Sequence, residues 1–150
     1  MNWRIIPVLI IALIMGIAVS GFGKLYAASA EASVVTVVCN ESVTADKLTK
    51  DNIQEMFMGR KTRWNDGQKI VLSTLKEGPA HEAFLNEYVE STPQQFLTHW
   101  KKQVYTGRGK MPMSFNTTQE LIDFVKKNPG AIGYVPSAEY QNQAKSITIE

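Results

Sequence analysis

The run Asn128-Pro129-Gly130-Ala131-Ile132-Gly133-Tyr134-Val135 constrains this chain more than any other stretch. Upstream of it, residues 120–127 pattern as a helix. Pro129 cannot continue that helix, because it lacks an N–H and its ring clashes with the preceding turn. Gly130 can take the left-handed conformation that closes a helix. A short apolar strand over residues 131–135 follows, with Gly133 inside it. Glycine within a strand marks a close approach by something else, so a larger residue there is expected to overpack. The run therefore predicts a helix, a tight turn and a strand in direct succession.

The same punctuation organises the rest of the chain. Residues 34–39 are β-branched almost throughout and read as a central strand ending in Cys39. Thr49 is a cap for a helix over residues 50–58, whose apolar face is Ile53, Met56 and Phe57 and which Gly59 stops. Asn65-Asp66-Gly67 is a turn, and residues 69–75 form a second strand. Pro79 suits the first position of a helix running to about Val89, where its missing N–H costs nothing. Thr92-Pro93 repeats that start signal, and Phe96 and Trp100 then share one helix face. Residues 104–115 read as irregular. Thr117-x-x-Glu120 is a capping box for the helix that ends at Lys127. Residues 146–149 alternate and predict a further strand at a sheet edge. Alternating strands and helices give an α/β class with helices on both faces of a mixed sheet.

Residues 1–30 read as an export leader rather than as part of this domain. Arg4 supplies a positive start, residues 5–22 are almost wholly apolar, and Ala28-Ser29-Ala30 has the small-residue spacing of a signal peptidase site. An uncleaved anchor is the alternative, since 18 apolar residues approach the length that crosses a bilayer. Two of the 16 basic residues, Arg4 and Lys24, lie in that leader, and none of the 14 acidic ones does. The remainder is formally neutral, 14 − 14 = 0. Neutrality argues against a nucleic-acid partner, which requires a basic footprint. Cys39 stands alone, so it forms no intrachain disulfide and reads as a small core residue. His81 and His99 are 18 positions apart with no carboxylates at ligand spacing, so no metal site or cofactor is expected. Neither a Gly-x-Ser-x-Gly elbow nor a phosphate-binding loop is present, and no enzyme activity is expected.

The residues from Met56 to Gly67, Pro79 to Phe84, Phe96 to Trp100, Tyr105-Thr106-Gly107 with Pro112, and the closing Pro129 to Val135 occur in an order that resembles one family. That family is the phosphate-type solute-binding proteins of bacterial ABC transporters. The resemblance implies a periplasmic binding protein-like lobe over residues 33–150: three α/β/α layers around a mixed, mainly parallel sheet. It also implies a small, phosphate-like oxyanion ligand and a membrane transporter or sensor as partner, outside the cytoplasm. Such proteins clamp a solute between two lobes, and the residues after Ala30 suffice for one.

Open α/β sheets bind ligands beyond the carboxyl ends of their strands. Two points qualify: Asn40, after the first strand, and the stretch from Thr74 to His81, after the second and at a helix start. Free N–H groups and positive partial charge at a helix start suit an anion. The candidate ligand-binding residues are therefore Asn40, Thr74, Lys76, Gly78, Ala80 and His81. Lys76 is expected to add charge, and His81 to help when protonated. Gly78-Pro79-Ala80 stands where the family carries Ser-Gly-Thr, and Thr74 falls near the family's arginine. That departure supports a second expectation, a protein-interaction module on a lobe whose ligand site has decayed.

Overall fold

The computed structural model describes residues 35–150. The expected leader and its Ala28-Ser29-Ala30 site lie outside the described residues. Six strands and four helices follow in chain order: β1 (Val35–Cys39), β2 (Lys47–Leu48), α1 (Lys50–Phe57), β3 (Val71–Leu75), α2 (Pro79–Phe84), α3 (Pro93–Tyr105), β4 (Met113–Phe115), α4 (Thr118–Lys127), β5 (Ala131–Pro136) and β6 (Lys145–Ile149). The six strands form one sheet, ordered β2-β6-β1-β5-β3-β4. Three of the five pairings are parallel: β2 with β6, β3 with β4, and β3 with β5. β1 runs antiparallel to both its neighbours. The sheet is thus mixed and mainly parallel, as the sequence led us to expect.

Strand alternation sends Gly133 and Tyr134 to opposite faces. The Tyr134 face is covered by α1, α2 and α3. The Phe84 ring stacks on Tyr134 at 3.8 Å and meets Phe57 edge-on at 4.8 Å. Trp100 of α3 donates from its indole N–H to the carbonyl of Phe57 at 3.0 Å. Aromatic pairs of this kind each add roughly 0.5–1.5 kcal/mol beyond their area burial. On the other face lies α4, where a Cβ on Gly133 would stand 2.9 Å from Leu121 Cδ2 and 2.4 Å from Ser73 Oγ. Gly133 lets α4 sit this close. Ser73 fills the space with a hydroxyl that donates to the carbonyl of Ile132 at 2.9 Å.

The joint from α4 to β5 is built as its sequence dictates. Gly130 has φ +76°, and a Cβ there would lie 2.2 Å from the carbonyl oxygen of Lys69. Its own carbonyl accepts from Trp64 Nε1 at 3.0 Å and from the N–H of Val71 at 3.1 Å. One glycine therefore ties the end of α4 to the start of β3.

The structure departs from the sequence reading in three places. The helix beginning at Pro79 is α-helical only to Phe84 and continues to Val89 as a π-helical turn, closed by Glu90 at φ +57°. Residues 104–115 are not irregular throughout, because α3 extends to Tyr105 and residues 113–115 form β4. β6 lies inside the sheet rather than at its edge, since the two-residue strand β2 pairs along its outer side. β2 and β4 are too short to show a periodicity.

Candidate functional site

β3, β4 and β5 run parallel, and their carboxyl ends open onto one cleft of about 590 Å³. Three segments line it. The first is the turn from Leu75 through Glu77 and Gly78 into the start of α2. Gly78 has φ +106°, which an L side chain rarely adopts, and it precedes Pro79 at the first helical position. The first bond of the α2 ladder runs from Glu82 N–H to the Gly78 carbonyl at 3.1 Å. The N–H groups of Ala80 and His81 precede that ladder and so have no partner within the helix.

The second segment, residues 116–118, begins α4. Its capping box is complete: Thr117 Oγ1 accepts from Glu120 N–H at 3.2 Å, and Glu120 Oε2 accepts from the N–H groups of Thr117 and Asn116, each at 3.2 Å. The third segment, residues 136–139, leaves β5 through a single 3-10 turn. Thr118 Oγ1 donates to Glu139 Oε2 across the cleft mouth. The lining thus combines helix-start donors and hydroxyls with two carboxylates, Glu77 and Glu139. It includes no lysine or arginine.

A family model described as a PBP superfamily domain matches residues 22–149. The chain belongs to the PBP superfamily. No curated protein matches its sequence. Among solved structures, the PBP lobe resembles an ABC-type phosphate transport receptor from Vibrio cholerae, with 16% identity and a TM-score of 0.53 over 77% of this chain and 45% of that one. It also resembles PstS from Borrelia burgdorferi, with 11% identity and a TM-score of 0.60 over 77% and 47%. A third likeness is to a phosphate ABC transporter substrate-binding protein from Clostridium perfringens with bound phosphate, at 14% identity and a TM-score of 0.56, over 77% and 44%. The chain spans less than half the length of these structures.

The PBP lobe gathers only some of the residues expected to meet a ligand. Gly78 and Ala80 line the cleft. Asn40 does not, because β1 is antiparallel and its carboxyl end lies at the start of β5. Asn40 N–H donates to the Ala131 carbonyl at 2.9 Å, and its side-chain amide caps α4 by donating to the carbonyls of Val125 and Lys126 at 2.8 and 2.9 Å. Thr74 is buried beside β4, its hydroxyl 3.1 Å from Ser114 Oγ. Lys76 is exposed and absent from the lining.

His81 turns its imidazole into the core. Its Nδ1 shares a 2.5 Å hydrogen bond with the Tyr134 hydroxyl, and Phe96 meets the ring edge-on. Burial lowers the His81 pKa below 6.5, against a smaller opposing pull from Glu82. The expectation that a protonated His81 side chain greets an anion is therefore corrected; only its backbone N–H remains at the helix start. Burial raises the Tyr134 pKa well above 10, so both partners are neutral. Burial also pushes the Cys39 thiol up to about 11, which leaves it protonated at the end of β1. Residues 116–118 and 136–139 were not among the candidates. The capping box was visible, but nothing local says that α4 begins beside α2. Glu139 carries no motif.

Proposed function

We propose that this lobe binds a small polar solute in the strand-end cleft and serves a membrane transporter or sensor outside the cytoplasm. One observation carries the reading: three parallel strands and two helix starts converge on a single open cleft, where both fixed donors and acceptors are available. The role is binding, with no reaction assigned. Glu77 and Glu139 bear on the ligand class. A fully ionised oxyanion would be repelled by them, whereas a protonated one can donate to a carboxylate while accepting from the helix-start N–H groups of Ala80 and His81. A phosphate-type oxyanion carrying protons is the ligand that suits this donor and acceptor set.

Titration of phosphate into the isotope-labelled full chain tests this by NMR. Shifts should concentrate on residues 78–81 and 116–118 and strengthen as falling pH protonates phosphate. Glu139→Gln should weaken binding if the ligand donates to that carboxylate. A gain in affinity for Glu139→Gln would mean instead that a fully ionised anion binds. The acidic lining favours one other reading, a lobe whose cleft meets a partner protein rather than a solute. No shift at millimolar phosphate at any pH would select that reading.

A further inference from the structure

A second cavity, of about 420 Å³, lies at the opposite end of β3, against Val71 and Leu72. It is bounded by α1, by α3 and by the loop that leads into β4. Its volume falls within the range of small-molecule pockets, which are typically about 300–1,000 Å³. Four cations line it: Lys61, Lys69, Arg108 and Lys110. No acidic side chain does. Among the described residues the ion pairs are Lys47–Glu150, Lys50–Glu90 and Lys145–Asp46, so none of the four cations is paired with a carboxylate. In a formally neutral domain this is a local excess of positive charge beside an apolar surface.

The apolar part is specific too. Trp100 lines the cavity with its indole N–H already bonded to Phe57, so the ring is held in place. Two glycines allow backbone to close on that ring. A Cβ on Gly59 would stand 2.9 Å from it, and one on Gly109 3.1 Å. Met111 and Met113 form the outer wall and remain 42% and 50% exposed. Methionine is adaptable and packs well against varied apolar shapes. Exposed methionines, a fixed indole and four cations without a carboxylate partner, of which Lys61 donates to Asn65 Oδ1 at 3.1 Å, together ask for a ligand with an apolar body and an ionised head.

We propose that this groove binds a small amphiphilic carboxylate, its apolar body on Trp100 and Met111 and its carboxylate among Lys61, Lys69, Arg108 and Lys110. Inorganic oxyanions are disfavoured here because they leave the apolar wall wet. Neutral apolar molecules leave the four cations unanswered. The site is separate from the strand-end cleft and does not depend on what that cleft binds.

Octanoate below its micelle threshold is the probe, with octanol and acetate as controls, all titrated into the full chain and followed by methyl NMR of the methionines and indole NMR of Trp100. Octanoate should shift Met111, Met113 and Trp100 saturably. Octanol and acetate should each bind at least about tenfold more weakly, the ratio that one lost interaction of ordinary strength produces. The double variant Arg108→Glu, Lys110→Glu alters only exposed loop residues and should weaken octanoate about tenfold or more while octanol is unchanged. Equal binding of octanol and octanoate, shifts mapping elsewhere, or indifference to the charge reversal would each overturn the proposal. So would occupancy by an acidic peptide alone.

Discussion

The cleft beyond Leu75 and the groove beside Val71 share one strand, yet their linings are opposite. The four steps along β3 from Val71 to Leu75 span roughly 13 Å at the usual rise. The cleft sits where parallel α/β sheets collect ligands, with backbone donors at two helix starts, but its charged side chains are Glu77 and Glu139. The groove occupies the end of β3 where the sheet offers no such donors, but it holds four cations and an aromatic floor. Topology places a cavity, then, and side-chain composition decides what the cavity can hold. At physiological salt the Debye length is about 8 Å, so each lining acts on its own ligand with little influence from the other.

The sharpest way to break this contrast is at Gly130. Its side-chain-free, left-handed backbone lies against the carbonyl of Lys69, which lines the groove. Gly130→Ala combines an unfavourable φ with a contact that backbone cannot relieve by rotating a side chain. We expect a loss of about 3–5 kcal/mol in denaturant unfolding, summing strain and overpacking. The damage should fall on the groove, so octanoate shifts should be lost under conditions where the cleft still titrates. A loss below about 1 kcal/mol would show that the joint yields and that β3 is not pinned there.

Gly133 lies on β5 between the two regions. Gly133→Val must displace Ser73 Oγ and Leu121, and it removes the hydroxyl's bond to Ile132. A loss of about 2–3 kcal/mol is expected. Both cavities should respond alike, because β5 and β3 move together. An unchanged denaturant midpoint would mean that α4 retreats without cost.

These two glycines were legible from sequence because backbone punctuation is local. Pro129-Gly130 and the glycine inside an apolar run each announce a constraint within a few residues. Thr49, Thr92 and Thr117 announced their helices in the same way, and all three cap as expected. The candidate site was less legible, because a site is assembled from distant segments. Asn40 followed a strand and so looked like a ligand residue, but the direction of β1 in the sheet put it at the wrong end. That direction is set by pairing, which no local pattern reports. His81 failed for a related reason. Its place in the first turn of a helix was right, while its side-chain direction depended on Tyr134, 53 positions away.

His81 also separates a core effect from a cleft effect by pH. Its folded pKa lies below the unfolded value of 6.5, so the native state resists protonation. Stability should be full above about pH 6.5 and should decline as pH falls through that value toward the lowered one. His81→Gln should cost about 1 kcal/mol at neutral pH through the Tyr134 bond, and it should flatten the acid decline. Melting temperatures between pH 5 and pH 8 provide the measurement. An unaltered acid decline in the variant would assign the effect to another group. Phosphate affinity should follow the ligand's own protonation in both proteins, since the imidazole does not reach the cleft.

The smallest effect is expected at Lys76, and it tests the contrast most directly. The position follows β3 and precedes the turn at Gly78, so by sequence alone it belongs beside an anion. Its backbone is fixed by the bond from its N–H to the Phe115 carbonyl at 2.9 Å, but its side chain is exposed and lies outside the lining. Lys76→Ala should alter stability by no more than about 0.5 kcal/mol, as exposed substitutions do. Phosphate titration at the cleft should change by less than about twofold, because a solvated lysine outside the lining contributes little to a ligand inside it. Octanoate at the far end of β3 should be unaffected. A marked loss of phosphate binding in Lys76→Ala would show that the lysine swings inward when ligand is present. The cleft would then be a cationic site after all, and the difference between the two ends of β3 would be one of degree.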